Sequence, residues 1–125
     1  MATKYARERY VFEASFASDY SRPYVKDEFS DTHSADDEIA YLTVDAETTG
    51  TTVNTSQMTT ANAVAVINDD TSNYVAVTWV NNGTSNSQRL LAGEWLRVTG
   101  ITVASNLTLT ANTAACPCRV LVIST

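Results

Sequence analysis

The sequence predicts an all-β protein: an antiparallel β-sandwich, jelly-roll-like, of about eight short strands, with an N-terminal arm. Three observations carry this prediction. Apolar and polar residues alternate with the period of a half-buried strand, as over Tyr74–Val80, where Val75, Val77 and Trp79 share one face. Clusters of Asn, Asp, Ser and Gly interrupt these runs roughly every eight to twelve residues, the spacing of sandwiches and barrels. The composition also changes sharply near residue 38.

Residues 1–38 hold seven of the eleven aromatics, nine of the fourteen acids and five of the eight bases. Residues 39–125 contain no lysine and take their polarity from Thr, Asn and Ser. The predicted division is an aromatic, charged arm and linker over 1–37 and a sandwich over 38–125. Phe12 and Phe16 are spaced for one helical turn, but Pro23 and scattered serines limit it. Two readings of the arm stand side by side. One is a first strand near Tyr10–Phe16 packed on the body, then a loop. The other is an extended arm over residues 1–30 that docks on a neighbouring subunit through Tyr5, Tyr10, Phe12 and Phe16. In both, the aromatics must pack somewhere, because they are costly to leave in water. Residues 30–38 read as a linker or solvated loop.

The body strands follow in order. Ile39–Val44 opens the sandwich, and Asp45–Gly50 turns. Thr51–Met58, with Val53 its one strongly apolar residue before Met58, suits an exposed edge. Ala61–Ile67 and Tyr74–Val80 read as a β-hairpin around the polar loop Asn68–Asn73. Asn81–Ser87 reads as a seven-residue loop containing the turn dipeptide Asn82-Gly83. Gln88–Leu91 is short, and Gly93 permits a tight turn. Glu94–Thr99 places Leu96 and Val98 inward, which leaves Trp95 and Arg97 on the outer face as interface candidates. Ile101–Ala104 and Leu107–Ala111 follow. Val120–Ile123 is continuously apolar, as a central strand buried on both faces is.

The chemistry-bearing residues point away from catalysis. The single histidine, His33, lies in a charged run without the partners of a triad or a zinc site. Cys116-Pro117-Cys118 reads as small residues in the turn before the last strand, since one CxC cannot fill a tetrahedral site. Asp36-Asp37 and Asp69-Asp70 are adjacent loop acids, read as solvated. Trp79, Trp95, Tyr74 and Tyr41 are weighed as a sugar-stacking platform, with Trp79 placed in the core instead. No catalytic, cofactor-binding or metal residues are assigned, and no cofactor is expected. The net charge of −6 opposes general nucleic-acid binding. No apolar run is long enough to span a membrane as a helix, and no secretion signal is expected at the N-terminus.

One resemblance adds to this reading. The pattern of Ala65–Val77 (a strand, an Asn/Asp-rich turn and a strand), then Leu90-Leu91-Ala92-Gly93-Glu94-Trp95, then Val120–Ile123, resembles small β-sandwich virion proteins of tailed bacteriophages. These are capsid decoration or cement proteins and related neck and tail accessory domains. The resemblance covers roughly residues 61–125 and is a fold pattern, so it argues by analogy. It implies a non-enzymatic homo-oligomer of the virion, assembled in the host cytoplasm, with the major capsid protein or other virion proteins as partners and no nucleic acid or membrane. The leading expectation is a capsid decoration or cement protein; the alternatives are a neck or tail accessory protein and a carbohydrate-binding sandwich module.

Overall fold

The computed structural model of the protein describes residues 4–21, 23–35, 38–53, 61–81, 83–101 and 107–124. Every regular element among them is a strand: β1 (Lys4–Ser15), β2 (Pro23–Ala35), β3 (Glu38–Ala46), β4 (Thr51–Thr52), β5 (Ala61–Asn68), β6 (Val75–Asn81), β7 (Thr84–Leu90), β8 (Trp95–Ile101), β9 (Leu107–Ala111) and β10 (Cys116–Ser124). They form three antiparallel sheets. One is the β1-β2 hairpin. The other two are four-stranded, in the orders β3-β10-β5-β8 and β4-β9-β6-β7.

The two four-stranded sheets share a core. Val64, Val66, Val120 and Val122 come from the first, and Val75, Val77, Leu107 and Leu109 from the second. Alternation sets which side chains enter. On β10, Cys118, Val120 and Val122 are buried inward, while Arg119 and Leu121 are half-buried on the outer face. Valine dominates because a branched, stiff side chain fits the pleat at little entropic cost. Val75, Val77 and a half-buried Trp79 lie on the core side, as the alternation predicts.

The outer face of β3-β10-β5-β8 carries a smaller apolar patch where the hairpin covers part of it. Ala6 of β1 and Ile39 of β3 pack against Ala63 and Ile123. The unbroken run Val120–Ile123 is therefore central, with core on one side and outer-face residues on the other.

Several expected boundaries change. Ala61–Ile67 and Tyr74–Val80 do not pair with each other: β5 pairs with β10 and β8, and β6 with β7 and β9. The intervening loop crosses between sheets. Asn68 is fully buried at this corner. Its carboxamide spreads its N–H donors over the carbonyls of Asn73, Leu90 and Leu91, at 2.9, 3.1 and 3.2 Å. Its Oδ1 accepts from the Asp70 N–H at 3.0 Å. Those bonds close the loop on itself and on the β7–β8 turn, which a flat hairpin would not permit.

The expected loop over 81–87 is mostly strand. Asn81 pairs with Thr84, so only two residues separate the strands, with Gly83 at φ 78°. An Asn-Gly dipeptide suits a two-residue hairpin turn, and polar residues suit the edge strand that follows. Cys116 and Cys118 lie within β10, not in the turn before it. Both are buried in the core as free thiols, and Pro117 between them is exposed. Residues 30–35 belong to β2, so the expected linker is largely strand. Of Thr51–Met58, Thr51–Thr52 is strand and Val53 is buried, while 54–60 lie outside the described residues. Residues 102–104 and Asp36-Asp37 also lie outside them.

Candidate functional site

The arm is a long ribbon. Its register runs from Lys4 opposite Ala35 to Ser15 opposite Pro23. Twelve residues at about 3.4 Å each make it about 40 Å long. One face carries Ala6, Glu8, Tyr10, Phe12 and Ala14 of β1, with Asp31, Phe29, Asp27 and Val25 opposite the last four in register. The other face is charged. There Arg9 pairs with Glu28, and Lys26 with Glu13 at 3.3 Å.

The inner half of the ribbon is clasped to β8. Arg97 donates to Glu8 through Nε at 2.9 Å and Nη2 at 2.8 Å, and Nη2 also donates to Asp31 at 3.0 Å. A guanidinium fork suits this task, because its donors match a carboxylate two at a time. The two acids hold Arg97 above its ordinary pKa range, chiefly through the Glu8 bonds. Tyr10 stacks on Trp95, with ring centroids 5.3 Å apart and planes 20° apart. The Tyr10 hydroxyl donates to Glu8 at 2.7 Å. Burial first, and then Glu8, push its pKa up to about 12.

Of the six interface candidates, three therefore meet: Tyr10, Trp95 and Arg97. The other three do not. Tyr5 lies on the charged face, away from the body. Phe12 and Phe16 lie beyond the clasp, where the ribbon overhangs. Phe12 is 61% exposed and its near neighbour Phe29 is 60% exposed. At the tip, Tyr20 has a left-handed backbone (φ 60°), uncommon for a residue with a side chain. The sequence offered no sign of Glu8 and Asp31 as partners of Arg97, because no local spacing links them.

Beside the clasp lies an open groove of about 690 Å³. One wall is β1 from Ala6 to Tyr10, and Trp95 also lines the groove. Ala65, Ile67 and Leu121 line it with Tyr41 and Arg119. Tyr41 is 61% exposed. Arg119 donates to Asp69 through Nε at 2.7 Å and Nη2 at 2.9 Å. That contact lowers the Asp69 pKa, and the same pair raises that of Arg119.

The remaining sequence candidates take structural positions. Tyr74 carries Arg89 over its ring at 4.2 Å, apart from Trp95. Asp70 is not simply solvated: it accepts the backbone N–H groups of Ser72 and Asn73 at 3.0 and 2.6 Å. Among the described residues, no group of three His, Cys, Asp or Glu side chains is placed to hold a metal. The arrangement offers recognition by aromatic surface, guanidinium and open strand edge. No protein-family model, curated protein or solved structure matches this chain.

Proposed function

We propose that this chain is a non-enzymatic structural subunit of a tailed-phage virion: a capsid decoration or cement protein that stabilises contacts between capsid subunits. The observation that carries the reading is a sandwich bearing a ribbon whose aromatic end overhangs it. Such an end is costly in water, and a ribbon of two strands has little stability without a layer behind it. An assembled shell supplies that layer. The strand orders add support. Counted from β3, they run first, eighth, third, sixth against second, seventh, fourth, fifth. We read this as jelly-roll wrapping, an architecture common among viral capsid domains.

Quantitative mass spectrometry of particles from the source of the sequence tests the reading. Hundreds of copies per particle are expected of a cement protein. A dozen or fewer would assign it to the neck or tail instead, and absence from particles would overturn the virion role. One observation favours a second reading. Trp95, Tyr10 and Tyr41 flank one groove, as aromatics do in carbohydrate-binding modules. Saturable glycan binding that disappears in Tyr41→Ala would support that alternative.

A further inference from the structure

The outer face of β3-β10-β5-β8 carries two arginines with an aromatic neighbour. On β8 these are Arg97 and Trp95, two residues apart on one face. Across β10 and β3 they are Arg119 and Tyr41, diagonal neighbours in the register. The first pair is occupied by this chain's own ribbon, with two acids on the arginine and Tyr10 on the tryptophan. At the second, among the described residues, Arg119 holds one acid, Asp69, and Tyr41 stands largely exposed over the groove.

We infer that this groove receives the overhanging half of the β1-β2 ribbon from a second copy of this chain, in a reciprocal dimer with exchanged arms. Phe12 and Phe29 pack on Leu121, Ile67 and Tyr41, and Asp27 meets Arg119. The inference deepens the reading of the chain as an assembling subunit and rests on it.

Three observations select this occupant. First, the groove is walled by a strand edge. Among the described residues β1 pairs with β2 alone, so its other edge faces the groove with backbone donors and acceptors in a row. Such an edge takes another strand. Second, the overhang repeats the chemistry that already docks on this sheet. The docked half presents Tyr10 with Glu8 and Asp31. The overhang presents Phe12 with Asp27 directly opposite it, and Phe29, opposite Tyr10 at the edge of the clasp, stands exposed on the same continuous face. Third, the area is right only if the exchange is mutual. Phe12, Phe29, Tyr20 and Val25 offer about 400 Å² of surface at 42 to 61% exposure. One arm in one groove then buries about 800 Å² in total, the scale of a packing contact, whereas two reciprocal contacts bury about 1,600 Å², the standard size of a stable interface.

The test is sedimentation velocity on the purified full chain and its variants, with far-UV circular dichroism as a check on folding. The wild type should sediment as a dimer. Asp27→Arg and Arg119→Glu should each weaken association at least tenfold. Mixing these two variants should restore the dimer, because both arm-to-groove contacts then pair opposite charges. Phe12→Ser should be monomeric and should not be rescued by mixing. A wild type that remains monomeric overturns the inference, as does a dimer unaffected by Phe12→Ser, or two charge variants that stay monomeric together. Those outcomes leave the virion reading to the particle count, which does not depend on how purified copies associate.

Discussion

Arg97 and Glu8, 89 residues apart in the chain, meet through two bonds of 2.9 and 2.8 Å, and this contact clasps the ribbon to the sandwich. Both side chains are largely buried, so water screens the pair less than a surface one. Arg97→Ala removes the cation that Glu8 and Asp31 share. The expected cost is about 1–3 kcal/mol, confined to ribbon docking. Hydrogen exchange checks it: amides of Ala6–Tyr10 should lose protection while those of Val64–Val66 keep theirs.

Asn68→Ala should be the more damaging change. It strips donors from the carbonyls of Asn73, Leu90 and Leu91 and removes the acceptor for Asp70 N–H. A loss of roughly 3 kcal/mol is expected, lowering Tm by roughly 10–15 °C. Differential scanning calorimetry reads this directly. A shift of only a degree or two would mean that water replaces the carboxamide.

Stability should fall at both ends of the pH scale. Arg119 holds the Asp69 carboxyl below its ordinary 3.8, and backbone N–H groups hold Asp70 below it too. For depressed acids, the stabilisation is present above the unfolded pKa and lost as pH falls through the folded one. The acid limb therefore begins near pH 4 and steepens below it. Burial pushes the Cys118 thiol from 9.0 up to about 12, raises Cys116, and raises Tyr10 from 10.0 to about 12. For these raised groups, the stabilisation is complete below the unfolded value and is lost as pH rises towards 12. Urea midpoints across roughly pH 3–10.5 should show a plateau with two falling limbs. Cys118→Val should flatten the onset of the alkaline limb near pH 9 and leave the acid limb unchanged.

Deleting residues 1–37 should leave a folded sandwich. None of the main core cluster comes from the arm. Circular dichroism should show strand with little helix, and Trp95 emission should shift to the red as Tyr10 is removed. A truncated chain that unfolds would assign the ribbon to the domain's own core.

The sandwich was legible because periodicity reports burial: β6 and β8 alternate inward as their residues predict, and the unbroken apolar run of β10 marks a central strand. Trp95 and Arg97 were legible as outer-face residues for the same reason. Pairing was less visible. Whether Ala61–Ile67 turns back on its own sheet or crosses to the other depends on where the Asn68 carboxamide bonds, up to 23 residues downstream. The arm was the hardest part. Its charged and aromatic residues alternate as a strand should, but the acids on its docking face mask an apolar pattern. Their purpose becomes visible only against Arg97.

The ribbon also has a mechanical meaning. It is a cantilever, clamped at Trp95 and Arg97, with Phe12 exposed beyond the clamp. A load applied at its tip reaches the body as a lever torque at the clamp. Tyr10 should peel from Trp95 first, then Glu8 and Asp31 from Arg97, and last Ala6 from its seat on Ala63 and Ile123. These contacts should yield before a strand of the sandwich bears tension, which would make the clasp a fuse. A tug on the arm is spent in a reversible unlatching, and the sandwich stays whole to latch again.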